Sequence, residues 1–524
     1  MRARRILSVT AGVMLAAASA AFYLEEQSAR DGARLFDQVL SAIQDRFVDS
    51  VDAGALFEKA AHGLVAELND PYSELFSPKL TKTFNTQTGG RYGGVGMLIE
   101  DQQGAIVIAR VYPNTPAEGA GIHEGDRILE IDSVSTRGWK TQQVSDKMQG
   151  VPGTTVRVRF ARPGVPTLIN VTFTRAVIRI PAVPFALMLA DSVAYIPLQT
   201  FNETATTEVA NQLVRLQGEG AKAVVLDLRE NRGGFLEQAL STANLFLKRG
   251  QEILSVRSRG EATQKAFAEA EPVAANIPVV ILVDGASASA SEIVAGALQD
   301  HDRALIVGTT SFGKGLVQTM YALDGGWSLK LTTGKWFTPS GRSIHKPRTS
   351  AELQEVDTTT APEDFSRRPV FKSDAGRTVY GGGAITPDVF VRPDTITTPE
   401  RLLAQKLFVK PQEVRVAVYD YALALKNGLR RDFKPLPEWR DELFRRVREK
   451  GVEVTKTEWD SGREYIDRVL ADQVARLAFG DSTAKRLELN DDNQLMKALD
   501  LLRRGRTQQE LFKLAAVQPA NSKH

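Results

Sequence analysis

Cysteine is missing from this chain of 524 residues, which excludes disulfides and a lipidated amino-terminal cysteine and leaves no thiol to report a redox compartment. Histidine is scarce too. His62, His123, His301, His345 and His524 are scattered without metal-ligand spacing, so no metal site is expected. His301, between Asp300 and Asp302, is the one candidate for a serine–histidine–aspartate scheme, although a loop position suits it better. Neither sign of charge dominates: 66 basic residues stand against 63 acidic ones, for a formal charge of +3. Without a basic block or an interleaved aromatic patch, a nucleic-acid partner is not expected. The apolar run Ile6 to Leu24, broken by Ser and Thr, is marginal for spanning a bilayer. It follows Met1-Arg2-Ala3-Arg4-Arg5 and contains the small-x-small Ala18-Ser19-Ala20, so residues 1–24 read as a signal peptide or a retained membrane anchor.

The chain is 43% hydrophobic and long enough for three or four domains. Its chemistry concentrates near the middle. Pro278 to Val283 is a continuous apolar, β-branched run of buried-strand length, and Ile293, Val294, Ala297 and Leu298 then recur at helical spacing. Between them lies Asp284-Gly285-Ala286-Ser287-Ala288-Ser289-Ala290-Ser291-Glu292, which puts Ser289 in the first turn of a helix, where backbone N–H groups lack partners and negative charge is favoured. The Ala290 N–H is placed to face an oxyanion. A short strand from Arg303 to Val307 leads to Ser311-Phe312-Gly313-Lys314-Gly315, so that a right-handed crossover can bring Ser289 and Lys314 together. Leu316 to Tyr321 reads as the next strand, with Gln318 on the side of Lys314 and able to orient its amine. Taken singly, the three serines are ordinary helix caps and Lys314 a solvated turn lysine. A second segment shifts the balance: Asp227-Leu228-Arg229-Glu230-Asn231-Arg232-Gly233-Gly234 follows the strand-like Ala223 to Leu226. Its glycine pair offers further free N–H groups for an oxyanion hole, while Asp227, Arg229 and Asn231 read as scaffold.

Upstream, Arg91-Tyr92-Gly93-Gly94-Val95-Gly96-Met97-Leu98-Ile99 and Pro116 to Ile131, with its Gly121-Ile122-x-x-Gly125-Asp126-x-Ile128 pattern, resemble a PDZ module over about 89–175. A glycine loop there would turn the N–H groups of Gly93, Gly94, Val95 and Gly96 towards a terminal carboxylate, and the strand from Gly96 to Glu100 would accept a peptide by β-augmentation. A glycine turn in a plain hairpin is the simpler alternative for Gly93 to Gly96 alone.

These segments, with Thr338-Pro339-Ser340-Gly341-Arg342-Ser343-Ile344 and Gly381 to Asp388, resemble the carboxyl-terminal processing peptidases, the tail-specific proteases of family S41. The likeness runs from about Leu35 to about Val391. It implies an α/β multidomain chain with a crotonase/ClpP-like βαβ protease core, an inserted PDZ domain and helical amino- and carboxyl-terminal regions. It also implies Ser289 as nucleophile, Lys314 as general base and Gln318 as its positioner, with oxyanion donors from Ala290 and from Gly233 or Gly234, and no cofactor. Two departures stand out: Asp284 occupies a position where asparagine is common, and a polar loop, Lys346 to Thr378, interrupts the motif order.

The division expected is 1–24 signal or anchor, 25–88 helical region, 89–175 PDZ domain, 176–397 peptidase core and 398–524 helical extension. In the second, Leu35, Val39, Ile43 and Phe47, then Leu56, Ala60, Leu64 and Leu68, mark two amphipathic helices; in the last, Leu402 to Phe408, Val414 to Leu429, Trp439 to Lys450, Arg463 to Phe479 and Leu495 to Arg504 read as helices without a catalytic motif. The function expected is an exported serine endopeptidase, periplasmic or otherwise extracytoplasmic in a bacterium, acting on extended protein tails. Partners would be such substrates, a second copy or an adaptor, with membrane association through the amino terminus. The rival readings are a catalytically silent PDZ scaffold and a small-ester hydrolase.

Overall fold

Unbroken β-branched runs bounded by turn residues form the buried strands of this protein, and 3.6-residue periodicity forms the helices that cover them. The computed structural model describes residues 30–102, 104–162, 165–349, 352, 368–394, 396–489 and 491–516, and the expected signal segment 1–24 lies outside them. The chain divides into two compact units, one holding the described residues up to Pro78 with Gln318–Thr332, the other Lys79–Val317 and the described residues from Thr333 on.

In the first unit the chain is helical over 30–46 (α1) and Ala53–Ala66 (α2), as the apolar spacing predicts. Asp52 caps α2, accepting the Ala55 N–H at 2.8 Å. Leu35, Val39, Phe47, Leu64 and Leu68 nevertheless remain exposed, so these faces are not core within the single chain. After the Asp70 turn, Glu74–Phe76 (β1) pairs antiparallel with residues 328–330.

After a helix over Pro78–Gly89, the second unit holds the PDZ-like module: Arg91–Gly94 (β2), Met97–Gln102 (β3), Ala105–Val111 (β4), Pro116–Gly119 (α3), Arg127–Ile131 (β5), Thr141–Met148 (α4), Thr155–Ala161 (β6), Ile169–Thr174 (β7) and Ala176–Arg179 (β8). Strands β3-β4-β5-β6-β7 form one antiparallel sheet, and β2 pairs with β8. Val95, Ile106, Ile108, Val144, Phe160 and Phe173 close its own core.

Next come Leu187–Leu189 (β9), Val193–Pro197 (β10), Ala205–Gly218 (α5), Ala223–Asp227 (β11), Leu236–Asn244 (α6), Val279–Val283 (β12), Ala290–Asp300 (α7), Leu305–Gly308 (β13), Leu316–Ala322 (β14), Ser328–Phe337 (β15) and Val389–Phe390 (β16). The main sheet has the order β9-β10-β11-β12-β13-β16 and is parallel except where β9 meets β10. Alternate residues serve opposite faces, which is why the strands read as continuous apolar runs. Ile196, Leu226 and Ile281 face the helices α5 to α7. Tyr195, Val225 and Leu282 face the carboxyl-terminal end of the chain.

That end is all helix: Thr398–Leu407 (α8), Pro411–Leu425 (α9), Pro437–Glu449 (α10), Lys456–Ser461 (α11), Arg463–Phe479 (α12), Asp481–Leu489 (α13), Asn493–Arg504 (α14) and Gln508–Ala516 (α15). Helices α8 to α12 share a core around Trp439, Leu443, Trp459 and Leu470. Arg415 of α9 pairs with Glu100 of β3 at 3.0 Å. Leu495, Ala498, Leu501 and Leu502 of α14, with Leu511 of α15, seal the second face of the main sheet. Within the interrupting segment 346–378, the described part ends in a short hairpin of Val370–Lys372 with Thr378–Tyr380.

Candidate active site

Strand β12 ends at Val283, and the loop after it is wound by Asp284, whose carboxylate accepts the N–H groups of Ala286 and Ser287, each at 3.0 Å. This Asx turn delivers the three serines. Ser287 and Ser291 are buried, and their hydroxyls donate to the carbonyls of Leu228 and Asn231, each at 2.8 Å. They pin this loop to the segment after β11. The Ser289 hydroxyl is bound to neither carbonyl, and the residue is partly exposed. Ser289 caps α7 rather than lying in its first turn, with φ 55° and ψ −111°. Such a conformation costs a non-glycine residue about 1–3 kcal/mol and persists where surrounding contacts impose it.

Those contacts centre on a residue the sequence reading passed over. Glu292 is fully buried, and one carboxylate oxygen accepts the N–H groups of both Ser289 and Lys314 at 2.8 Å. The other oxygen accepts the Gly313 N–H at 2.7 Å and the Ser311 hydroxyl at 2.5 Å. Burial pushes this carboxyl above its ordinary range, and the four donors pull against that shift. The signal was present in the sequence: a glutamate three residues after a capping serine is the reciprocal helix-start pattern. Lys314 lies in the turn before β14, where Trp336 donates its ring N–H to the Lys314 carbonyl at 3.1 Å. The flanking glycines are required by close packing, because a Cβ on Gly315 would meet the His345 backbone nitrogen at 2.9 Å. Gln318 belongs to the first unit, where its side-chain N–H group reaches the Tyr72 carbonyl at 3.3 Å.

On the opposing loop, Gly233 has φ +99°, and a Cβ there would sit 3.0 Å from the Ser289 Cβ and 3.1 Å from the Ala290 nitrogen. The space beside Ser289 is thus kept open by the missing side chain. The Gly233 N–H donates to Asn231 Oδ1 at 2.9 Å, whereas no such acceptor holds the Gly234 N–H among the described residues. Gly234 instead lets the loop pass Phe201, whose carbonyl oxygen would stand 2.3 Å from a Cβ. Asp227 and Arg229 are paired scaffold residues as expected: Arg229 reaches Asp227 at 2.6 Å, and Tyr195 donates its hydroxyl to Asp227 at 2.8 Å.

His301 terminates α7, with one ring nitrogen 2.7 Å from Asp374 and the other 2.7 Å from the Glu252 carbonyl. Ser289 caps the opposite end of that 11-residue helix, a separation of roughly 18 Å over the steps from 289 to 301 at 1.5 Å per residue, so the two cannot form a triad. Arg342 of the Thr338 to Ile344 motif is fully buried and paired with Asp300 at 2.7 Å, a structural role. In the PDZ-like module, Gly93 and Gly94 lie in β2 rather than in a turn, paired with Val177 and Ala176. Val95 is buried, and Gly96, at φ +88°, packs against Thr115. Among the described residues no cluster of histidine, cysteine, aspartate or glutamate is arranged for a metal ion, and no helix is long and apolar enough to cross a membrane.

Known families agree with the layout of these elements. The family described as Peptidase family S41 matches residues 192–353, a PDZ domain matches 107–162, and the Activating protease CtpB N-terminal domain matches 16–78. The carboxy-terminal processing protease CtpA of Bacillus subtilis (strain 168) is 33% identical over 339 residues, covering 63% of this chain and 72% of its own. The carboxy-terminal-processing protease of Bartonella bacilliformis is 34% identical over 351 residues, covering 65% of this chain and 80% of its own. Among solved structures, a photosystem II D1 C-terminal processing protease is 25% identical and covers 70% of this chain and 94% of its own, with a TM-score of 0.38.

Proposed function

Because the chain belongs to peptidase family S41, as a serine-type carboxy-terminal processing protease with a PDZ domain, we propose that it cleaves extended protein substrates near their carboxyl termini with Ser289 as nucleophile and Lys314 as base. The observation that carries this reading is the single buried carboxylate of Glu292, which takes the backbone N–H groups of both residues. It makes the geometry of one depend on that of the other. The Ser289 hydroxyl attacks the scissile carbonyl carbon while the neutral Lys314 amine takes its proton, and Gln318 orients that amine. Negative charge on the former carbonyl oxygen is met by the Ala290 N–H and by that of Gly233 or Gly234, Gly234 being the one not already held by Asn231. Collapse breaks the C–N bond, the lysine ammonium protonates the departing amine, and water, deprotonated by Lys314, then cleaves the acyl-enzyme. No cofactor takes part.

In this reading the core is of the crotonase/ClpP-like kind, and the segment from Gly93 to Gly96 with β3 holds the substrate tail. Residues 1–24 export the protein to an extracytoplasmic space. The test is digestion of an unstructured protein by the wild-type chain and by Ser289→Ala. Loss of cleavage in the variant supports the assignment, and cleavage by neither protein would favour a silent PDZ scaffold.

A further inference from the structure

The helical extension carries no catalytic motif, yet its side chains enter the network behind the oxyanion loop. Arg229 stands two residues before Asn231, whose carbonyl accepts the Ala288 N–H at 3.0 Å and the Ser291 hydroxyl at 2.8 Å. The Arg229 guanidinium is shared. Asp227 takes it on one side at 2.6 Å; on the other, Asp492 accepts from both terminal nitrogens at 2.9 and 2.6 Å, and Gln494 accepts at 3.0 Å. Asp492 is also the cap of α14, accepting the Leu495 N–H at 2.9 Å. Gln494, almost fully buried, ties its amide to the Val391 carbonyl at 2.8 Å, so the helix start is fixed to the strand end beyond β16. A guanidinium this enclosed keeps its charge because carboxylates flank it, which holds its pKa above the ordinary range.

We propose that Asp492 and Gln494 are positioning residues for the peptidase reaction, fixing Arg229 and thereby the loop that supplies the oxyanion donors. The extension is then part of the machinery, and a protein that displaced the start of α14 would alter turnover rather than substrate capture. The proposal rests on the Ser289/Lys314 reading and adds to it a dependence on residues more than two hundred positions downstream.

Asp492→Ser separates the two duties of the residue, because serine remains a good helix cap but cannot pair with Arg229. For an unstructured peptide at a temperature where every variant is folded, kcat is expected to fall between about 10- and 100-fold with KM nearly unchanged. Asp492→Asn, which keeps one oxygen for Arg229, should lie between the serine variant and wild type. Gln494→Ala gives an independent reading if the position-492 variants fail to fold, with the same split expected. Serine and alanine variants whose kcat stays within about twofold of wild type, or whose KM alone rises, would overturn the proposal. If the wild-type chain itself shows no Ser289-dependent cleavage, the underlying assignment fails instead.

Discussion

Ser287 donates its hydroxyl to the Leu228 carbonyl at 2.8 Å, and that bond ties its loop to the segment after β11. Ser291 does the same through Asn231. Of three serines spaced two apart, the outer two staple the loop after β12 to the loop after β11, and the middle one, Ser289, stands between them.

The alanine series follows from that division. Ser289→Ala should abolish cleavage while leaving the melting temperature close to wild type. Ser287→Ala and Ser291→Ala should each cost about 0.5–1.5 kcal/mol of stability by removing one of the two hydrogen bonds to a loop carbonyl, and both should retain measurable turnover. Calorimetry alongside a gel assay separates the two effects. Turnover by Ser289→Ala, or its loss in a folded Ser287→Ala, would reverse the assignment.

Lys314 must be neutral when the serine attacks, so the rate should rise with pH through its folded pKa. Lys314→Arg should be inactive at every pH, since guanidinium does not give up its proton. A rate profile for hydrolysis of a fluorogenic peptide from about pH 6 to about pH 10 tests both points, and an active arginine variant would remove lysine as the base.

Glu292→Gln would present an amide NH2 to backbone N–H donors that now point at a carboxylate. Turnover is expected to fall by about 100-fold or more through misplacement of both reacting groups. The pH dependence of stability should change as well. Because burial raises this carboxyl, the folded chain holds its proton where the unfolded chain, titrating near about 4.3, has lost it; the contribution is full below that value and is lost as pH rises through the folded one. Denaturant midpoints from about pH 4.3 upward should therefore decline more steeply for wild type than for Glu292→Gln. Parallel curves would show that the carboxyl titrates alike in both states.

At Gly233 a methyl group would occupy the space beside Ser289, and φ +99° is unfavourable for alanine. Gly233→Ala should lose activity more completely than its loss of stability explains, which active-site labelling with a fluorophosphonate would register as slowed acylation. Labelling at the wild-type rate would mean that the oxyanion forms elsewhere.

If the segment from Gly93 to Gly96 with β3 holds a chain end, amidating a peptide's carboxyl terminus should weaken its binding, because the N–H groups lose their anion. Titration calorimetry on the Ser289→Ala protein reads this directly. Equal affinities for the free and amidated forms would assign the module another task.

The sequence made β12, α7 and the helices α8, α9, α10, α12 and α14 legible because apolar periodicity and turn residues agree there. It missed α11, α13 and α15, which are short and draw their order from packing onto longer neighbours. At the site, residue types and spacing suggested a serine–lysine arrangement, and the resemblance to family S41 singled out Ser289 and Lys314. Glu292, though within reach of a capping pattern, reads as an ordinary surface acid until its burial is known. Asp492 was not legible at all: its partner Arg229 lies far away in sequence, and nothing local to Asp492 distinguishes it from any helix cap. The run from Gly93 to Gly96 reads as a single loop, whereas Gly93 and Gly94 lie in β2, where a Cβ on Gly93 would meet Gly150 and Pro152.

Leu495, Leu501, Leu502 and Leu511 close the face of the main sheet formed by Val193, Val225, Val280 and Val307. During synthesis that face is made long before its cover. A nascent chain that has completed the main sheet still displays an apolar surface until α14 and α15 emerge, and such surface favours association with chaperones or with other unfinished chains. The consequence is a peptidase core that matures only once α14 and α15 have been made, so a product terminated before them would be recognised as unfolded before it cut anything.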